Sequence, residues 1–229
     1  MTDKTPSVKF ITPTGIAIYP KLHKPDTKFK AEGEYSVKLR LVPDTLPAET
    51  VEALANLLAE FVEDKKAELL TEKKAGKVKT LKVRDLFARE LDEDGEETGH
   101  IVINAKMKAS GVSKKDGKPW ARTPKVFDSK GKKMSPVPFI FGGSELKVAV
   151  QAKAYYMAKD NEAGVAFYLE AVQVIKLVKG GDRDAKGYGF GEEEGYSSDD
   201  DAPAEKFDDS TEGDTTTGDA PAAGGNQDF

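Results

Sequence analysis

Every Leu, Ile, Val, Met and Trp of this chain lies within residues 1–179; the last fifty of its 229 residues contain none. Such a segment cannot bury enough apolar surface to offset the entropy of ordering it, so 180–229 is expected to be disordered. Folding is then confined to 1–179, one domain of ordinary size. Charge divides at the same boundary. Residues 180–229 hold three basic residues (Arg183, Lys186, Lys206) and fifteen acidic ones, a net of −12, while 1–179 hold 32 basic and 25 acidic, a net of +7. The overall charge of −5 therefore averages a basic body and an acidic tail. A basic body suits a polyanion; the plainer reading of the tail is that it aids solubility.

Several classes are excluded early. The absence of cysteine removes disulfides, thiol nucleophiles and Cys-based metal sites. His23 and His100 are the only histidines, so a His-rich metal or acid–base centre is not expected and no cofactor is implied. No apolar run approaches the roughly 20 residues of a membrane span, and Met1–Pro6 has no apolar signal core. The chain reads as soluble and intracellular, without a membrane partner.

The body reads as strands interrupted by one helix. Residues 8–19 and 34–42 show partial period-two alternation of β-branched and aromatic residues. Val51, Leu54, Leu58, Phe61, Val62 and Leu69 then recur at helical spacing over about 47–73. Residues 77–90 suit a short strand or a helical turn, and 100–109 resume strand character. Asp116-Gly117 is a hairpin-turn signal, 120–128 a short strand, and 146–157 and 165–178 two long strands. Five or six antiparallel strands with one inserted helix suggest a small closed or partly open barrel.

Strand side chains alternate between faces, so position parity separates core from surface. Tyr35, Val37, Leu39 and Leu41 oppose Ser36, Lys38 and Arg40; Ile101, Ile103, Ala105 and Met107 oppose Asn104, Lys106 and Lys108. Leu146, Val148, Val150, Ala152, Ala154 and Tyr156 oppose Lys147, Gln151, Lys153 and Tyr155. The apolar faces make the core, leaving a cationic face outside.

Basic side chains are densest over 100–133, where ten of them face only Asp116 and Asp128. If one strand runs through Lys118, Trp120 and Arg122, the only tryptophan stands between two cations. Binders of single-stranded nucleic acid need this pairing, with cations following phosphates and flat rings stacking on bases. Tyr155, on the face of Lys147 and Lys153, is a second stacking candidate. The bland alternative makes Trp120 a core residue and the lysines a solvated surface.

Catalytic motifs fail on inspection. Gly111 to Gly117-Lys118 has the wrong spacing for a phosphate loop, and Pro119 stands where Ser or Thr is required. Glu90 to Gly95 imitates the start of a calcium loop, but its twelfth position is Ile101. Gly187 to Gly191 opens no helix. The acidic tail ends in Asp228-Phe229, an aromatic ring and a free carboxylate suited to anchor a partner protein.

One resemblance gathers these features. Asp128-Ser129-Lys130-Gly131-Lys132-Lys133-Met134, Val137-Pro138, Gly142-Gly143-Ser144 and Leu146-Lys147-Val148, with the terminal Asp228-Phe229, are similar to the single-stranded DNA-binding proteins of tailed bacteriophages. The resemblance implies a mainly β, OB-fold five-stranded antiparallel barrel over 1–179, with one inserted α-helix and a disordered acidic tail over 180–229. It implies a non-enzymatic protein that coats single-stranded DNA in phage replication, recombination and repair, in the cytoplasm of the infected bacterial host. It also implies a homodimer whose tail, through Asp228 and Phe229, contacts the replicative polymerase and helicase. Tyr155 falls on a family tyrosine that stacks on DNA, whereas Met157 stands where the family places a tryptophan. The expected DNA contacts are phosphates at Lys106, Lys108, Lys118, Arg122, Lys125, Lys132, Lys147 and Lys153, and stacking at Trp120 and Tyr155. The competing expectation is a β-rich adaptor whose acidic tail binds basic partners without nucleic acid.

Overall fold

Alternating apolar side chains build a strongly curled sheet in the computed structural model, which describes residues 6–179. The expected acidic segment 180–229, with Asp228 and Phe229, lies outside the described residues. The elements follow as β1 (Val8–Ile11), β2 (Gly15–Asp26), β3 (Glu34–Leu41), α1 (Ala48–Thr71), α2 (Ala75–Lys79), β4 (Lys82–Val83) and β5 (Ala88–Leu91). They continue as β6 (Glu97–Lys108), β7 (Ser110–Val112), β8 (Pro119–Ala121), β9 (Lys125–Phe127), β10 (Glu145–Met157) and β11 (Glu162–Lys176).

Two expected strands are each broken by proline. Residues 8–19 divide into β1 and the first part of β2 at Thr12-Pro13-Thr14, because Pro13 has no N–H to donate to a ladder. The buried Thr12 fixes that corner: its N–H donates to Val148 O at 2.9 Å, and its Oγ1 accepts from Val148 N at 2.9 Å. Residues 120–128 divide into β8 and β9 across Pro124.

Five long strands carry the architecture. β2 pairs with β3 and β3 with β6; β6 meets β11, β11 pairs with β10, and β10 returns to β2. Two of these joins are short, β6–β11 at Phe167–Ala105 and Tyr168–Lys106, and β10–β2 at Glu145–Ile16 and Leu146–Gly15. The sheet is thus a partly open barrel rather than a fully laddered one, as five-stranded OB-folds are. It is also not wholly antiparallel. β4, β6 and β9 all meet β11 in parallel, because the intervening helix and loops bring those strands back in the same direction.

The core lies where parity puts it. Val37, Leu39, Leu41, Ile103, Ala105, Leu146, Val148, Val150 and Ala152 are almost completely buried. Each fully buried Val, Leu or Ile contributes about 1.5–3 kcal/mol relative to exposure. Helix α1 turns Leu54 into this core, while Leu58 and Val62 pack on Ala163 at the start of β11. The helix therefore braces the end of the strand that forms one wall of the site.

Candidate nucleic-acid interface

The outward faces of β6 and β11 flank a groove of about 950 Å³. Six cations line it, Lys30, Arg84, Arg89, Lys106, Lys108 and Arg122, against two carboxylates, Glu34 and Asp85. The same lining carries four rings, Phe87, Tyr155, Phe167 and Tyr168. Phe87 stacks on the largely buried Phe167 with centroids 5.9 Å apart and planes 10° from parallel. Rings and cations thus share one trough, the arrangement that lets a strand's phosphates and bases be held together.

Cross-strand pairing positions the tyrosines. In register, Gln151 faces Tyr168, Lys153 faces Ala166 and Tyr155 faces Gly164, so Lys153 lies between the two rings. Tyr155 is laid over Gly164: a Cβ there would come within 2.9–3.1 Å of its Oη, Cζ and Cε1. Glycine leaves room for the ring to lie flat on the sheet, and the ring covers a strand position that has no side chain. Tyr168 is 45% exposed, beside Lys106 in the parallel join, with the Lys153 ammonium 5.8 Å from its ring centroid.

Of the expected contacts, the groove brings together Lys106, Lys108, Arg122 and Tyr155, with Lys153 beside Tyr168. Trp120 and Lys118 belong to the small β7–β8 hairpin. There Trp120, half-buried, lies across Gly111, whose added Cβ would meet the indole Cζ2 at 2.7 Å. Of its two expected flanking cations, Arg122 is the one over the ring, 5.0 Å from its centroid, while Nε donates to Lys108 O at 2.9 Å. Arg122 thereby joins the hairpin to the groove. Lys125, Lys132 and Lys147 do not line the groove. Lys125 pairs with Ala171 and Lys147 with Gln173 at the opposite end of the long strands, and Lys132 sits in the turn after Asp128.

Several lining residues escape sequence reading. Tyr168 is accessible to it, since Phe167 and Leu169 alternate with Ala166, Tyr168 and Glu170. Lys30, Arg84 and Arg89 are not, because they come from loops and a short strand that only the tertiary fold brings to the trough. Three acids hold some of these cations, Glu162 pairing with Arg84. Glu34 accepts from Lys30 Nζ at 2.7 Å and pairs with Lys106 Nζ at 3.0 Å. Burial pushes its pKa up, but the hydrogen bonds from Lys30 and Lys106 outweigh that and hold it below the ordinary value. Arg89 pairs with Glu97 at 2.7 Å. Among the described residues no group of three His, Asp or Glu side chains is placed to hold a metal ion, and no helix is long and apolar enough to cross a membrane.

Comparison with known proteins decides the family. A sequence model described as "Single-stranded DNA-binding protein, Bacteriophage T7" matches residues 14–177. The chain belongs to this T7-type family of single-stranded DNA-binding proteins. The single-stranded DNA-binding protein of Escherichia phage T7 is 40% identical over 81 residues, which span 35% of this chain and 35% of that relative. The crystal structure of gp2.5, the T7 single-stranded DNA-binding protein, superposes with a TM-score of 0.61 at 27% identity, covering 75% of this chain and 93% of its own. A looser likeness, with a TM-score of 0.45 and 18% identity, covers 75% of this chain and 88% of the single-stranded DNA-binding protein of bacteriophage Enc34, solved in complex with ssDNA. The T7-type family is one of binding proteins rather than enzymes, and its fold is the mainly β OB-fold that the strand pairing displays.

Proposed function

We propose that this protein binds single-stranded DNA without sequence preference in the groove between β6 and β11, and coats it during phage replication, recombination and repair. The observation that carries this is the placement of Tyr155 and Tyr168 among Lys106, Lys108, Lys153 and Arg122 on one face of the barrel. Stacking on a π-face and neutralising phosphates need no reading of base edges, so the binding is indifferent to sequence. Lys118 and Trp120 extend the surface along the β7–β8 hairpin, and Lys125, Lys132 and Lys147 offer phosphate contacts where a longer strand leaves the groove.

The acidic residues of 180–229 compete with phosphates for the same cations. A tether of that length keeps their fifteen carboxylates at a high effective concentration. DNA displaces them, and Asp228 and Phe229 then become available to the replicative polymerase and helicase. The protein works as a homodimer in the cytoplasm of the infected bacterial host.

The test is a titration of Trp120 fluorescence with oligo-dT. Quenching is expected, with affinity falling by about 0.7 log units per phosphate contact for each tenfold rise in salt. Absence of quenching in low salt, with retention of basic proteins by the intact chain, would favour the adaptor reading. Removal of 180–229 should tighten DNA binding at low salt; equal or weaker binding overturns the competition.

A further inference from the structure

A second concave surface carries the same chemistry outside the groove. The outer end of β2 and the segment before β10 enclose a cleft of about 560 Å³, lined by Tyr19, His23, Phe139 and Phe141 with Lys24 and Lys28. Tyr19 is 80% and Phe139 58% exposed, an unusual concession for two large rings in one place. The rings form a connected row: His23 to Phe139 is 5.0 Å between centroids, and Phe139 to Phe141 is 5.2 Å. His23 is pinned by a 2.7 Å hydrogen bond between its Nδ1 and Val137 O, so the row is held by backbone rather than by mutual contact alone.

Local backbone geometry presents Tyr19 deliberately. Between Ile18, opposite Lys38, and Lys21, opposite Ser36, β2 carries one residue more than β3. That bulge contains Tyr19 and Pro20, and Tyr19 adopts φ +47°, a conformation that costs a bulky residue energy. Bulges re-aim a side chain out of the alternating pattern. The neighbouring segment is tied down as well, with Gly143 N donating to Ala17 O at 2.9 Å and Ala17 N to Ser144 O at 2.8 Å. A strained residue on a fixed scaffold, turned toward solvent, indicates a surface shaped for an occupant.

We infer that this cleft is a second stacking site for single-stranded DNA, taking unpaired bases on Tyr19 and Phe139 and phosphates on Lys24 and Lys28. Continuity with the groove selects this occupant. The β2–β3 loop carries Lys28 into the cleft and Lys30 into the groove, two residues apart, so a strand leaving one trough reaches the other over the same loop. Charge agrees, since the lining carries Lys21, Lys24 and Lys28 against Asp26 alone, and Asp26 is already engaged by Lys21 at 3.7 Å and by the Lys28 N–H at 2.9 Å. An apolar peptide or a second copy of the chain would need no such lysines. The inference rests on the groove being the first DNA site.

The experiment compares two probes on the full chain. One is a dT oligomer of about 6 nucleotides, short within the roughly 4–16 that an OB-fold occupies; the other has about 30. Tyr19→Gly is the informative variant, because glycine accepts a positive φ without strain while removing the ring. It should leave thermal stability equal or higher, weaken the long oligomer about fivefold to a hundredfold, and leave the short one unchanged. Phe139→Leu, which keeps apolar bulk, should behave alike. Lys24→Gln with Lys28→Gln should flatten the salt dependence for the long oligomer by about 0.7 per lost contact.

Unchanged affinity for both oligomers in the variants, equal losses on both, or a loss of self-association in sedimentation with DNA affinity intact each overturns the inference. Failure of the groove reading looks different. In that case Tyr168→Ala leaves the short oligomer's binding untouched, whatever the Tyr19 variant does.

Discussion

Replacing Glu34 with Gln is expected to tighten DNA binding, although it alters a residue inside the groove. The Glu34 carboxylate occupies two of the cations that the phosphates need, Lys30 at 2.7 Å and Lys106 at 3.0 Å. It is also a fixed negative charge where a negative strand must pass. A phosphate about 5–6 Å from it is repelled by roughly 0.7 to 3 kcal/mol as the effective dielectric falls from about 80 to 20. The groove is open to water and salt, so the lower end applies, about 1 kcal/mol, or roughly fivefold in affinity. Gln keeps the size and a hydrogen-bonding oxygen, so the local packing is retained.

A second signature is independent of that estimate. Each lysine released to a phosphate should steepen the plot of log affinity against log salt by about 0.7. The assay is the Trp120 titration with oligo-dT at a series of salt concentrations, for Glu34→Gln and the wild type. Weaker binding with an unchanged slope would refute the reasoning, because it would mean that Glu34 positions the two lysines rather than withholding them. Acid provides a check on the same residue. Glu34 has its pKa held below the ordinary 4.5, so the wild type protonates it, and approaches the variant's affinity, only below that value.

Other outcomes follow from the same geometry. Tyr155→Ala and Tyr168→Ala should each weaken oligo-dT by about 1–3 kcal/mol, whereas Tyr155→Phe should bind nearly as the wild type in the same titration. Lys106→Gln should reduce the salt slope for a short oligomer more than Lys125→Gln, Lys132→Gln or Lys147→Gln, since only the first lies in the groove. Glu90 accepts from Arg40 at 2.7 Å; burial raises its pKa, but the Arg40 and Thr98 hydrogen bonds outweigh it and hold the value down. With folded pKa values below the unfolded ones, the stabilisation from Glu34 and Glu90 is present above about pH 4.5 and is lost as pH falls through the folded values. Acid unfolding followed by circular dichroism should accordingly be less steep in the Glu34→Gln, Glu90→Gln double variant. Leu146→Ala, at a side chain with no exposure, should cost about 2–5 kcal/mol and lower Tm by roughly 5–15 °C in calorimetry.

Alternation alone identifies the core, because a strand with one buried face has no freedom to shift its register by a single residue. Val37, Leu39, Ile103, Val148 and Val150 are readable for that reason, and so is Tyr155 on the opposite face. The helix over 48–71 is equally plain, its leucines lying at helical spacing. The prolines at 13 and 124 are visible in sequence, but the strand breaks they cause depend on which N–H a neighbour needs. Parallel joins to β11 leave no local trace at all, since they link segments far apart in sequence, as at Phe167–Ala105. Charge has a related blindness. A lysine on a strand declares itself exposed, yet a curled sheet has several outsides, and Lys147 shares a strand face with Tyr155 while standing at its far end. The second aromatic cleft hides for another reason: the tyrosine at its rim leaves the alternating pattern through a bulge, which parity reads as noise.

β11 has more partners than any other strand, pairing with β10 along nearly its whole length and with β4, β6 and β9 in parallel. Among the described residues it is also the last strand that the ribosome makes. Until residues 162–176 have emerged, Ala105 and Lys106 of β6 lack their β11 partners, Tyr155 lies over no glycine and the trough has one bank. Assembly of the binding surface therefore waits on β11. A chain terminated before this strand would not be a weakened binder of DNA; it would be a set of exposed sheet edges, ready to pair with one another.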